Sequence, residues 1–239
     1  MKILFYVYSV STYQIEFFIK LRKYFKVFVI YKFKNSSNQQ LKFKKFNWMY
    51  FLNKKEGINK IDKIIEKIKP QLIVIGGYKM NIKIKDKSIK KFFWLERVNN
   101  SKKYKSFLRK FYIKYKLKTV DGVLAIGREA EKFYKNFNPN IYNLPYSINS
   151  QTRIKNYKYP SFLFVGQMIE RKGINEILYF LKKKDFRNFK FTFVGNGPLS
   201  KKIKQISKLK KNIKYLTFKN KFELNKIYKE NNILVLPSR

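Results

Sequence analysis

Short runs of Val, Ile, Leu and Phe recur along this chain, separated by longer amphipathic stretches, and this alternation restricts the fold more than any other feature. Strands are expected at Ile3–Tyr8, Val27–Phe33, Asn47–Phe51, Leu72–Ile75, Phe92–Leu95 and Gly122–Ile126. Helical spacing of apolar residues marks Tyr13–Tyr24, Ile58–Lys69, Lys103–Lys118 and Arg128–Asn136 between them. The runs beginning at Ile3, Leu72 and Gly122 are almost free of polar residues, so both faces of those strands are expected to be buried. Strands buried on both faces belong to a parallel sheet covered by helices.

The pattern breaks at Asn136–Pro160, a stretch with three prolines and many Asn and Ser, read as an interdomain linker. It then resumes with strands Phe162–Val165, Lys190–Val194, Ile213–Phe218 and Ile233–Leu236, and with helices Ile174–Lys183, Leu199–Leu209 and Phe222–Glu230. The expected fold class is therefore α/β, with two Rossmann-like, doubly wound parallel-sheet domains over 1–148 and 149–239. The last strand runs into "LPSR" with no helix to cover it, so the second domain is expected to be incomplete and the chain truncated.

Several chemistries are excluded by composition. The chain has no cysteine and no histidine, which removes disulfides, thiolate metal sites and imidazole bases. Lys and Arg number 56 against 14 Asp and Glu, for a formal charge of +42. Such a field attracts nucleic acid, acidic headgroups or phosphorylated small molecules. The charge is spread over the whole length, and no helix-turn-helix, zinc or RNP-like pattern accompanies it, so specific nucleic-acid binding is not expected. A coding bias towards Lys, Asn, Ile, Phe and Tyr accounts for part of the excess. No run approaches the roughly 18 apolar residues of a membrane span, and the N-terminal run lacks a small-residue cleavage site. A cytoplasmic protein is expected, with peripheral attachment to the inner face of the plasma membrane left open.

In open parallel sheets, ligands bind at the carboxyl ends of the strands, where the following helices present free N–H groups. Four such strand ends carry distinctive residues. Gly76 and Gly77 in "VIGGYKM" suit either a turn that needs a positive φ or close approach by a ligand. In "FVGNGPLSKKI", Gly195 and Gly197 precede Pro198, which fits a first helical position. A dinucleotide fingerprint would need a third glycine where Ser200 stands, so a nicotinamide site is excluded, while a cradle for a small anion or nucleotide stays open. In "FVGQMIERKGINEIL", Gly166 ends the strand and Arg171, Lys172 and Gly173 fall at the start of the next helix. Cations there oppose the helix dipole, a cost an anionic ligand would offset. The fourth end is "VLPSR".

Taken in order, "FLFVGQMIERKGINEIL", "FTFVGNGPLSKKI" and "ILVLPSR" resemble the nucleotide-sugar-dependent glycosyltransferases of family 4, which share the B-type fold. The resemblance extends back through "VDGVLAIGREAEKFY" and "NLPYSIN". It implies a hexosyltransferase-type enzyme that takes a sugar, with retention and without a metal, from a UDP- or GDP-linked donor in its second domain. The acceptor, a glycan or a lipid-linked sugar, would be held by the first domain, and the expected pathway is bacterial cell-surface polysaccharide synthesis. No cofactor beyond the nucleotide-sugar is implied. Donor-binding candidates carried over are Gly166, Gln167, Arg171, Lys172, Gly195, Gly197, Pro237 and Ser238. Gln167 departs from the arginine expected there, and Arg171 is the nearby replacement for its charge. The Glu-x7-Glu motif of the family would fall beyond Arg239, and the histidine near its sugar has no counterpart. Two rival readings are a non-catalytic relative that only binds the nucleotide-sugar, for which Gln167 speaks, and a basic nucleic-acid-binding protein.

Two further features concern the first domain. Glu96, in "FFWLERVNN", is the candidate catalytic or acceptor-side polar group, against the alternative of a surface carboxylate in an ion pair. Within 102–118, Phe107, Leu108, Phe111, Tyr112 and Tyr115 recur at helical spacing among basic residues. That pattern suits a helix covering a sheet, and equally one lying on an anionic membrane.

Overall fold

The computed structural model describes residues 1–33, 45–52, 58–80, 82, 84–97, 103–146, 159–183 and 188–238. They form two units, Met1–Asn149 and Ser150–Arg239. Each is an α/β unit built on an all-parallel sheet, as the apolar runs indicate.

The first sheet contains β1 (Lys2–Ser9), β2 (Lys26–Phe33), β3 (Met49–Phe51), β4 (Leu72–Ile75), β5 (Lys90–Leu95), β6 (Gly122–Ala125) and β7 (Ile141–Asn143). Its order is β3-β2-β1-β4-β5-β6-β7. Ile3 pairs with Val27 on one side and Leu72 on the other, so β1 is central and the winding reverses between β1 and β4. Alternate residues of β1 serve opposite cores. Leu4 and Tyr6 face Ile61 and Ile65 of α2 (Ile58–Ile68), Ile113 of α3 (Lys103–Leu117) and Tyr134 of α4 (Arg128–Lys135). Ile3, Phe5 and Val7 face Phe17 and Phe18 of α1 (Thr12–Leu21), together with Trp94. The absence of polar residues in these strands follows from this two-sided burial.

Two findings depart from the sequence reading. The stretch expected to be a linker contributes β7, which pairs Ile141 with Val123 and closes the edge of the first sheet. With only "IYN" between Asn and Pro residues, it is too short to show alternation, and only its neighbour β6 specifies it. In α3, the residues turned to the core are Ile113 and Leu117, whereas Phe111, Tyr112 and Tyr115 are exposed beside Lys110 and Lys114. Side chains of Phe107 and Leu108 lie outside the described residues.

The second sheet contains β8 (Ser161–Val165), β9 (Lys190–Val194), β10 (Ile213–Leu216) and β11 (Ile233–Leu234), in the order β10-β9-β8-β11. Phe164, Phe191 and Phe193 pack beneath Ile177 and Leu181 of α5 (Ile174–Lys183) and Ile203 of α6 (Ser200–Leu209). On the other face, Leu163 and Val194 meet Ile227 of α7 (Lys221–Lys229). Helix α7 begins with a reciprocal cap: Asn220 accepts from the Glu223 backbone N–H, and Glu223 accepts from that of Asn220. Its winding reverses between β8 and β11, so this sheet too has a switch point.

Candidate functional site

In the second unit, the carboxyl ends of β8, β9 and β11 converge. The chain leaves β8 through Gly166, Gln167 and Met168, then makes a short 3-10 turn over Glu170–Lys172 before α5 starts at Ile174. Gly173 joins the two in a left-handed conformation, φ 72°. A side chain there would also run into Pro237, whose carbonyl oxygen lies 2.4 Å from the position of an added Cβ. Only glycine lets the turn after β8 close onto the residues after β11. That closure brings the Lys172 ammonium to donate to Ser238 Oγ at 3.3 Å.

The cations therefore stand one turn ahead of α5, not in its first turn as the sequence suggested. The dipole cost argued from sequence does not arise, because Arg171 and Lys172 end the 3-10 turn, where carbonyls point outward. Arg171 and Gln167 are both exposed, and neither side chain has a hydrogen-bond partner among the described residues.

Gly195 and Gly197 have a structural task in the same place. An added Cβ on Gly195 would lie 2.0 Å from Gly166 O, and one on Gly197 2.6 Å from Met168 O. The two turns are laced together by Met168 N–H to Asn196 O and Leu199 N–H to Met168 O, each 3.0 Å. The Gly197 N–H donates to Ser200 Oγ at 3.0 Å, so the residue in the third fingerprint position closes the turn itself. Tyr215 adds a further tie, its hydroxyl donating to Gly195 O at 3.0 Å. The glycine turn thus holds the β8 and β9 ends together and sets the backbone beside Arg171 and Lys172.

The first unit has its own hollow, of about 360 Å³, at its switch point. The floor is the ends of β1 and β4, with Tyr8, Ser9, Gly76 and Gly77. Walls come from Tyr13 and Gln14 of α1, from Trp94 and Glu96, and from Tyr146 beyond β7. Rings of Tyr13 and Tyr146 meet edge to face at 4.7 Å, and Trp94 lies 4.8 Å from Tyr146. Burial, aided by the nearby Tyr13 and Glu96 and opposed by the Gln14 amide, pushes the Tyr146 hydroxyl far above its ordinary value, so it stays protonated. Glu96 is exposed at the rim and, among the described residues, has no ion pair. Its backbone carbonyl accepts from the buried Tyr134 hydroxyl at 2.9 Å, which fixes the chain at that point. The neighbouring Arg97 takes the surface pairing instead, with Glu129 at 3.1 Å. Among the described residues no group of three or more carboxylates is placed to hold a metal ion.

Residues 147–239 match the family of glycosyl transferases group 1. That match takes in the whole of the second unit. No curated protein matches the chain by sequence. Solved structures do match, at identities that speak for the fold. The apo lipopolysaccharide outer core galactosyltransferase WaaB superposes with a TM-score of 0.63 at 14% identity, over 100% of this chain and 74% of that one. An S. aureus TarM variant in complex with fondaparinux, α-GlcNAc-glycerol and UDP gives 0.58 at 17% identity, over 76% of this chain and 39% of that one. An α-glucosyltransferase in complex with UDP-glucose and DNA containing an abasic site gives 0.59 at 14%, over 100% and 73%. These are glycosyltransferases of the B-type fold, and both sheets described above belong to that fold.

Within the second unit, the structure brings Gly166, Lys172, Gly195, Gly197, Pro237 and Ser238 to one end of one sheet, with exposed Gln167 and Arg171 beside them. Arg239 lies outside the described residues. Sequence reasoning missed the wall of the first-unit pocket. "YSVSTYQ" carries no glycine and so matched no phosphate motif, although its placement directly after a buried first strand was the available signal.

Proposed function

We propose that the protein transfers a glycosyl group from a nucleotide-sugar, UDP- or GDP-linked, to a glycan or lipid-linked acceptor with retention of configuration. The donor diphosphate lies at the β8–β11 switch point, beside Lys172 and Arg171. The observation that carries this reading is the Lys172–Ser238 contact, which puts a cation at the mouth of the sheet inside a segment that matches group 1 glycosyltransferases. Departure of a nucleoside diphosphate needs its charge stabilised, and fixed cations with backbone N–H groups do that without proton transfer. A chain without histidine is compatible with such chemistry.

The acceptor and the setting of the reaction follow by chemistry. Cytoplasmic nucleotide-sugars and a cell-surface polysaccharide acceptor would bring the protein to the inner face of the plasma membrane. Exposed Phe111, Tyr112 and Tyr115 among lysines on α3 suit contact with anionic headgroups. No helix of the described residues is long and apolar enough to cross a membrane. A DNA acceptor is the second reading, favoured by the charge of +42 and by the α-glucosyltransferase structures that hold DNA.

Incubation with UDP- and GDP-sugars and a panel of glycan, lipid-linked and duplex DNA acceptors tests both readings. Release of nucleoside diphosphate with an acceptor-dependent product of retained anomeric configuration by proton NMR supports transfer. Turnover with DNA alone selects the second reading, and binding without any turnover removes catalysis from the account.

A further inference from the structure

A second hollow, of about 570 Å³, opens at the opposite end of the first sheet, where β5, β6 and β7 begin. Phe92 lines it, four residues before Glu96 along the same chain and so roughly 13 Å from the rim of the other pocket at about 3.3 Å per residue. The walls are tied to one another. Asn138 is buried; its Nδ2 donates to Leu117 O at 3.0 Å, and its Oδ1 accepts from the Asn140 N–H at 2.8 Å. Asn140 Nδ2 donates to Asp121 O at 2.9 Å. The Asp121 carboxylate accepts from the Lys91 N–H at 2.8 Å and from Lys90 Nζ at 3.2 Å. These bonds join the end of α3, the turn between α4 and β7, and the starts of β5 and β6. Gly122 keeps the floor close: an added Cβ there would lie 2.5 Å from Phe92 Cε1 and 2.8 Å from Asn140 O. Only glycine lets the Phe92 ring lie over the start of β6.

Those bonds also decide what the hollow can take. The side-chain amides of Asn138 and Asn140 and the Asp121 carboxylate are engaged within the wall, which leaves little for the many hydroxyls of a sugar. What stays open is aromatic and cationic. The Phe92 and Tyr142 rings meet at 6.0 Å and 40°, and Tyr142 is 56% exposed. Phe137 and Val120 add apolar surface. Lys118 is exposed and has no ion pair among the described residues. The ammoniums of Lys90 and Lys118 outweigh the one carboxylate of Asp121, so the lining carries a net positive charge. We infer that this hollow binds a small aromatic anion, a ring bearing a carboxylate or a phosphate, stacked on Tyr142 and Phe92 with its charge beside Lys118. Its volume falls among those of small-molecule sites, about 300–1,000 Å³. The site shares no lining residue with the hollow at β1 and β4 or with the residues around Lys172, and it does not depend on the function proposed above.

The full chain is titrated calorimetrically with benzoate and phenyl phosphate, and in parallel with acetate, phenol and glucuronate. Saturable binding of a ring anion, tighter than that of all three comparison compounds and weakened by salt, is expected. Tyr142→Ala and Lys118→Ala should each weaken it about tenfold, the loss expected for one stacking face or one charge-assisted contact. Both positions are exposed, so the variants should fold, which circular dichroism checks. Lys172→Ala should leave benzoate affinity unchanged. No saturation by either ring anion, equal binding of acetate or of phenol, tighter binding of glucuronate, unchanged affinity in both pocket variants, or a loss confined to Lys172→Ala would overturn the inference. UDP binding is measured on the same samples. Benzoate binding without UDP binding removes the donor assignment and keeps this site; UDP binding without benzoate or phenyl phosphate binding does the reverse.

Discussion

Replacing Gly195 by alanine tests the packing at the carboxyl end of the second sheet with a number that follows from the structure. Gly195 has φ 137°, a conformation that L side chains rarely adopt, and holding alanine there costs about 1–3 kcal/mol. The added Cβ would also lie 2.0 Å from Gly166 O and 3.0 Å from Gly166 C, both backbone atoms that no rotamer change can move. Relief requires the ends of β8 and β9 to part by roughly 1 Å, given ordinary carbon–oxygen contacts of about 3.2 Å or more. The bonds Gly166 N–H to Val194 O and Met168 N–H to Asn196 O, both 3.0 Å, are the first to be lost. At about 1 kcal/mol each, they bring the total to roughly 3–5 kcal/mol. Gly166→Ala is the control, because its Cβ would make only ordinary contacts of 3.5 Å with the Phe164 ring, and less than about 1 kcal/mol is expected. Both tryptophans, Trp48 and Trp94, lie in the first unit, so their fluorescence during urea unfolding reports that unit alone. Hydrogen exchange of β8 and β9 peptides reports the second. Gly195→Ala should accelerate exchange there and leave the tryptophan transition in place. Equal protection in the two variants, or greater damage from Gly166→Ala, would refute the packing described.

Three further outcomes follow from other parts of the molecule. Tyr31 is fully buried, and its hydroxyl has no hydrogen-bond partner among the described residues, so Tyr31→Phe should raise first-unit stability by about 1 kcal/mol in urea unfolding followed by fluorescence. Asp121 is held below its ordinary value of 3.8, first by the Lys91 backbone N–H and also by Lys90 at 3.2 Å. A lowered folded value gives stability that is present above pH 3.8 and lost as pH falls through the folded value, so Asp121→Asn should flatten the acid limb of stability against pH. On α3, Ile113→Ala empties a fully buried position and should cost about 2–5 kcal/mol. Phe111→Ala, at a residue 60% exposed, should leave stability almost unchanged and reduce co-sedimentation with phosphatidylserine vesicles.

The fold was legible because two-sided burial writes itself into the sequence as runs without polar residues, and β1, β4 and β6 are such runs. β7 was not, since three residues hold no period and its place is given by pairing with β6. For α3 the sequence left two readings open, and only contact with the sheet singles out Ile113 and Leu117 as its buried residues while Phe111, Tyr112 and Tyr115 stay exposed. At the carboxyl ends of β8, β9 and β11, glycines and cations stood out in the sequence by type. Their geometry did not: the 3-10 turn, the left-handed Gly173 and its closure on Pro237 depend on residues more than sixty positions apart. The pocket of the first unit was hidden for a related reason. Its lining comes from the ends of four strands, from the start of α1 and from Tyr146, and no short stretch contains them.

Calorimetric titration of the full chain with UDP and with GDP, on wild type and Lys172→Ala, tests the donor assignment most directly. Saturable binding of one nucleotide is expected in the wild type, weakened roughly 10- to 100-fold in the variant by loss of a charge-assisted bond of about 1.5–3 kcal/mol. Equal affinity in the two proteins, or no binding of either nucleotide, would contradict the placement of the donor diphosphate at Lys172.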